Sequence, residues 1–175
     1  MGFTETYSPA RRWVPTRGHA RPDVSVPSAS LSFGMTPPVP PSIQKVLDRF
    51  AAMDRETKMQ ALVAYAKKLE PLPERFAALD RAAYTVPECQ TRVDLFHEVV
   101  DDKLSFYADL NARQSPTIAA FLAIVFGAVN GEPPTTTLAI PEDFVPRVMA
   151  SIGLSARESG LTAMIRRMQR HAADA

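Results

Sequence analysis

Residues 92–108 read Arg-Val-Asp-Leu-Phe-His-Glu-Val-Val-Asp-Asp-Lys-Leu-Ser-Phe-Tyr-Ala, and this stretch decides the fold class. Val93, Leu95, His97 and Val99 alternate with Arg92, Asp94, Phe96 and Glu98. A period of two puts one set on each face of a strand, here an apolar inner face and a polar outer one. After an Asp101-Asp102 turn, Leu104, Phe106 and Ala108 alternate again. Two strands so close in sequence pair as an antiparallel hairpin. Tyr84 to Val86 is available as a third strand.

On both sides of the hairpin the period becomes helical. Ile43, Val46, Leu47 and Phe50 follow i, i+3, i+4, i+7, with Ser42 placed to cap. Asp54 caps a second helix with Met59, Leu62, Val63, Ala66 and Leu69 on one face, ended by Pro71 and Pro73. Residues 72–83 read as a loop with a helical turn. Ser115-Pro116 opens a helix with cap and first-turn proline in their preferred places. It is apolar on most sides, the mark of a central buried helix, and stops at Asn130-Gly131. A short helix is expected near Glu142–Ala150, with Pro146 in its first turn or bending it. Ser155-Ala156-Arg157-Glu158 is a capping box. It opens a last helix with Leu161, Met164, Ile165 and Met168 inward and Arg166, Arg167 and Arg170 on a solvated face. The order αα-ββ-ααα predicts an α+β domain, a small antiparallel sheet of two or three strands covered by helices.

Composition narrows the function. The 175 residues carry 20 Lys+Arg against 19 Asp+Glu, a net charge of +1. That argues against a nucleic-acid grip by bulk charge, which needs a basic excess. The longest apolar run, Ile118 to Val129, is far short of the ~20 residues that cross a bilayer. The N-terminus has no apolar core of the signal-peptide kind. A lone cysteine leaves no disulfide framework and no multi-cysteine metal or cluster site, and points to a reducing cytoplasm. Of the 16 prolines, eight lie in the first 42 residues. Such a segment cannot propagate helix or central strand. Residues 1–42 are therefore expected to be a mostly disordered extension, with a transit segment or a docking arm using Trp13 as alternatives. Residues 43–175 form the folded domain.

Cys89 is the one soft nucleophile. A lone cysteine is most often a small buried hydrophobe, but Val86-Pro87-Glu88-Cys89-Gln90-Thr91-Arg92 is a polar turn leading into a strand. A thiol there can be presented to a partner. An ordinary thiol, with pKa near ~8.5, is only a few per cent thiolate at neutral pH, and a carboxylate beside it does not help. His97 lies roughly 26 Å away if the chain runs extended between them, so it reads as a satisfied or edge histidine rather than a base. His19 and His171 leave no metal-ligand spacing, and glycines 127, 131, 153 and 160 make no phosphate loop. Activation of the thiol is expected from elsewhere.

These residues resemble a family. Val86-Pro87-Glu88-Cys89-Gln90-Thr91-Arg92-Val93 is similar to the cysteine loop of SufE-type sulfur acceptors, V-x-G-C-Q-S-x-V-W. Ala108-Asp109 resembles the start of the family's G/A-D-S-D/E-A segment, and Asn130-Gly131-Glu132-Pro133 its post-helix turn. Ser155-Ala156-Arg157-Glu158-Ser159-Gly160-Leu161, continuing Ala163-Met164-Ile165-Arg166, resembles the signature S-R-x-x-G-L-x-A-M-I-R. Three departures stand out: Glu88 for glycine, Thr91 for serine and Asp94 for tryptophan.

The resemblance implies a SufE/IscU-like fold and a cytoplasmic sulfur carrier, not an enzyme in its own right. Cys89 would accept persulfide sulfur from a PLP-dependent cysteine desulfurase of the SufS or CsdA type, stimulate it, and deliver the sulfur to a SufBCD-type iron–sulfur scaffold. Val86, Glu88, Gln90, Thr91, Asp109, Arg157 and Gly160 become loop or partner contacts, with Arg157 expected to hold the loop by hydrogen bonds. PLP and the cluster belong to the partners, so this chain is expected to bind no cofactor or metal, no nucleic acid and no membrane, as a monomer or weak dimer. The alternatives are a desulfurase-binding regulator that hands sulfur elsewhere or carries none, and a cysteine hydrolase. The last requires a histidine within ~4 Å of the Cys89 sulfur.

Overall fold

The computed structural model describes residues 38–153 and 155–175. The extension expected over residues 1–42 falls, up to residue 37, outside the described residues. The first helix, α1 (Pro41–Ala51), starts from Pro40 as N-cap with Pro41 in its first turn. Proline suits that position because its missing N–H would have no partner there. Ser42 thus lies inside the first turn and does not cap. Ile43, Leu47 and Phe50 are buried as the spacing requires.

Helix α2 (Arg55–Ala66) is capped by Asp54, whose carboxylate accepts from the Thr57 N–H at 2.7 Å. Its inward face is rotated from the expected one. Met59 and Val63 are exposed, while Leu62 and Lys58 are buried. The Lys58 ammonium donates to the Ala150 carbonyl at 2.9 Å. A lysine stem is apolar enough to pack once its head finds an acceptor, so the helix turns toward Lys58 and away from Met59. It also ends at Ala66, well before Pro71. Two 3-10 turns, Glu74–Phe76 and Arg81–Ala83, occupy the following connection.

Strands β1 (Asp94–Val100) and β2 (Lys103–Asp109) form the expected hairpin, in register from Asp94↔Asp109 to Val100↔Lys103. Asp101 and Asp102 both have positive φ, 52° and 58°. Two left-handed residues give the turn that matches strand twist, and aspartate tolerates that conformation better than most. The sheet has two strands, not three. Tyr84–Val86 contributes a single bridge, Thr85↔Asp94, flanked by Val86 N–H to Val93 O (2.9 Å) and Leu95 N–H to Tyr84 O (2.8 Å). The Arg81–Ala83 turn before it and Pro87 after it leave no length for a strand. On the other edge, the Asn130 side chain accepts from Phe106 N–H and donates to Phe106 O, both at 2.9 Å. The start of the β1 edge and the Leu104–Phe106 stretch of the β2 edge are thereby covered against further pairing.

The expected alternation holds for β2 and only partly for β1. Leu104, Phe106 and Ala108 are buried, but so are Asp94 and Phe96 on the supposed outer face, while Val99 is exposed. The connection after α2 folds over that face. Phe96 stacks on Tyr84 (4.5 Å between ring centres) and meets Phe76 (5.4 Å), and Arg75 pairs with Glu98 at 2.6 Å.

Helix α3 (Pro116–Val129) is buried along nearly its whole length and forms the centre of the core. A short helix not expected from periodicity, α4 (Pro134–Leu138), follows; Pro133 and Pro134 preset its first turn. Helix α5 (Phe144–Met149) holds Pro146 in its first turn, and α6 (Ser155–Ala173) buries Leu161, Met164, Ile165 and Met168. The order is αα-ββ-αααα, an α+β fold with one more short helix than the sequence suggested.

Candidate functional site

Cys89 sits in a turn built from its own neighbours. Val86 is buried, and its carbonyl accepts the Cys89 N–H at 3.3 Å across Pro87 and Glu88. Proline in the second position of such a turn supplies φ in advance. The third position is where glycine is needed when φ must be positive. Here the left-handed residues among those described are Asp101, Asp102, Gly131, Ser151 and Gly153. Glu88 is not among them, so this turn accepts its side chain without backbone strain.

Three sets of contacts hold the turn. Upstream, Thr85 Oγ1 lies 2.6 Å from the carboxylate of buried Asp94. Arg92 also pairs with Asp94, at 3.1 Å, and Arg81 stands 3.8 Å from it while pairing with Asp109. Asp94 and Asp109 face each other across the hairpin. Like charges in that position repel, and the Arg81 guanidinium between them offsets it. Downstream, Ser115 Oγ lies 3.1 Å from Thr91 Oγ1. The serine was expected to cap α3, but its hydroxyl makes no cap bond and ties the start of the helix to the cysteine loop instead.

The third set comes from α6, through a different arginine from the one expected. Arg167, assigned above to a solvated face, donates from Nη1 to Thr85 O at 2.9 Å and from Nη2 to Ala83 O. Arg157, expected to make such bonds, is exposed at the rim of the cysteine cavity. At 100° per residue, Arg167 flanks the apolar face that includes Met168, whereas Arg170 falls on the opposite side. That helical placement was the available signal for Arg167. Ser115 gave none, because its N-cap position has an obvious alternative use.

The turn overlooks a cavity of about 270 Å³. Cys89, Gln90, Thr91 and Glu88 line it from the loop; Arg157, Ser159, Gly160 and Leu161 from α6; and Ile118 from α3. Six residues singled out in the sequence therefore meet here: Cys89, Glu88, Gln90, Thr91, Arg157 and Gly160. Val86 anchors the turn from below. Asp109 stands apart, in an adjoining cleft with Arg81, Asp94 and Asn111. Cys89 itself is half-buried against the core, and Gly160 is buried directly opposite its side chain.

The histidines lie elsewhere. His97 stacks on His171 with ring centres 4.0 Å apart, joining β1 to the end of α6. Burial pushes both imidazoles down, His171 to about 4, with the neighbouring His97, Arg167 and Arg170 charges adding to its shift. His97 Nδ1 and His171 Nε2 are buried without a hydrogen-bond partner. Among the described residues no histidine lines the cysteine cavity. No helix among them is long and apolar enough to cross a membrane.

The SufE family, described as an Fe-S metabolism associated domain, matches residues 44–172. Two SufE-like proteins from different strains of Mycobacterium tuberculosis are each 31% identical over 147 residues, covering 81% of this chain and 99% of the relative. The solution structure of a hypothetical protein from Thermus thermophilus superposes with a TM-score of 0.64 at 26% identity, over 78% of this chain and 97% of that one. The family match extends from α1 through the cysteine loop to the end of α6. This chain therefore belongs to the SufE family and, with it, to the sulfur side of iron–sulfur metabolism.

Proposed function

We propose that the protein is a sulfur carrier that accepts persulfide sulfur on Cys89 from a PLP-dependent cysteine desulfurase of the SufS or CsdA type. It stimulates that enzyme and passes the sulfur to a SufBCD-type scaffold. The observation that carries this reading is the placement of the only cysteine. It lies on a turn anchored from three sides and opens onto a cavity lined by Ile118, Gly160 and Leu161. The half-buried position shelters a bound sulfur, while the surface turn lets a donor reach it.

In the transfer, the Cys89 thiolate attacks the outer sulfur of the donor persulfide. An Sγ–S bond forms, the donor's S–S bond breaks, and the donor cysteine leaves as thiolate and takes up a proton. Cys89 ends as Cys89–S–S⁻, and no external oxidant is needed. Nothing in this step requires a base beside Cys89, because the donor site sets the protonation of the entering thiol.

Cys89→Ser tests the reading. The variant should fold with an unchanged Tm, since a half-buried site lets a hydroxyl keep contact with water. It should carry no sulfane sulfur after incubation with desulfurase and cysteine, and should not stimulate alanine release. A variant that still stimulates fully would replace the carrier by the regulator reading.

A further inference from the structure

Gly160 faces Cys89 across the cavity from the first turns of α6. A Cβ added at residue 160 would stand 3.6 Å from Cys89 Sγ, 3.6 Å from its Cα and 3.8 Å from its Cβ. These are ordinary van der Waals contacts, so beside a plain thiol there is room for a methyl group. A persulfide carries a second sulfur about 2.05 Å beyond Sγ. The three distances place the added methyl at close to a right angle to the Cβ–Sγ bond, which is also the direction an outer sulfur takes. An outer sulfur turned toward α6 would then approach that methyl to about 2 Å, far inside contact distance. With glycine that methyl is absent, and the nearest carbon of residue 160 is its Cα, at up to about 3.5 Å from the outer sulfur, a van der Waals contact in place of the clash. The walls of this sector are the α6 backbone and the nearly fully buried Leu161 and Ile118, while Glu88 and Arg157 are exposed at the rim.

We propose that Gly160 is a positioning residue for the persulfide: its missing side chain is the recess that receives the outer sulfur and keeps it from small thiols. The proposal rests on Cys89 being the acceptor. Rotation about Cβ–Sγ has three staggered positions, and only the one facing Gly160 turns the outer sulfur toward α6. An alanine would close that position to the persulfide while leaving the reduced protein undisturbed. It is also the better helix former, so the variant is expected to fold.

The test loads the full chain with inorganic polysulfide. The Cys89 thiolate takes one sulfur, giving Cys89–S–S⁻ and a polysulfide shorter by one atom. Intact mass reports the gain of one sulfur, and its decay under added glutathione gives the lifetime. Gly160→Ala should load but lose its sulfur faster, on the order of tenfold, the effect of exposing one to two methylene-sized groups. Its reduced thiol should be alkylated at the wild-type rate. Gly127→Ala in α3, where an added Cβ meets nothing within 4 Å, should behave as wild type. An unchanged persulfide lifetime in Gly160→Ala would overturn the inference, as would an equal change in thiol alkylation, which would mean a disturbed loop. If the wild-type chain takes up no sulfur at all, the carrier reading falls with it.

Discussion

Arg167 offers the sharpest test of how the cysteine loop is held. Its guanidinium reaches from α6 to the carbonyls of Ala83 and Thr85, just ahead of the Val86 anchor. Removing it in Arg167→Ala deletes two charge-assisted hydrogen bonds, each contributing ~1.5–3 kcal/mol where water is excluded. Here the side chain is only part-buried and water can reach the bared carbonyls, so the pair together stabilises by about 2–3 kcal/mol. In a domain of this size that corresponds to a fall in Tm of about 8–12 °C. Urea unfolding should show a lower midpoint with an unchanged slope. Arg167→Lys can reach one carbonyl at a time and should recover about half of the loss. Arg166→Ala and Arg170→Ala, on the exposed side of the helix, should stay within ~0.5 kcal/mol of wild type. Cys89 alkylation should quicken in Arg167→Ala alone, because the segment feeding the turn loses its tether. Arg167→Ala matching Arg170→Ala in both stability and thiol reactivity would refute a tether at this position.

The stacked histidines predict an acid limb. His171 is held neutral in the fold, its pKa pushed from the ordinary 6.5 down to about 4, so the unfolded chain binds the proton first. Stability from this group is complete above 6.5 and is lost as the pH falls toward 4. Allowing for its part exposure, the loss is about 1–2 kcal/mol. His97 shifts in the same direction, and Asp174 nearby opposes both. His171→Phe should keep the stack and flatten this limb in denaturant titrations; an identical limb would contradict the assignment. Asp94→Ala should cost about 2–3 kcal/mol, because it strips a buried acceptor from Thr85 and Arg92 and leaves Arg81 with Asp109 alone. Calorimetry showing a loss under ~0.5 kcal/mol would make that network incidental. Lys58→Met keeps the packed stem but leaves the Ala150 carbonyl without its donor, and should cost about 1–2 kcal/mol by urea titration. A neutral result would mean that packing alone sets the rotation of α2.

Several elements were determined by the sequence itself, because local rules suffice for them. The inner faces of α1, β2 and α6 repeat at their own periods and are buried where those periods put them. The turn at Cys89 follows from Pro87, and the buried α3 from its nearly unbroken apolar run. Other features depended on what packs against what. Periodicity scored Met59 as apolar and Lys58 as charged, yet a lysine stem packs well once Ala150 offers its carbonyl. Phe96 was placed outward by alternation, since nothing local records that Phe76 and Tyr84 return over that face. Arg166, Arg167 and Arg170 are the same residue type on one helix, and only the arrival of Ala83 and Thr85 beside α6 singles one out. The cavity itself joins residues 88–91, 118 and 157–161. The space beside the Cys89 sulfur exists because α6 brings a glycine to it, a meeting of chain segments some seventy residues apart that only tertiary packing could decide.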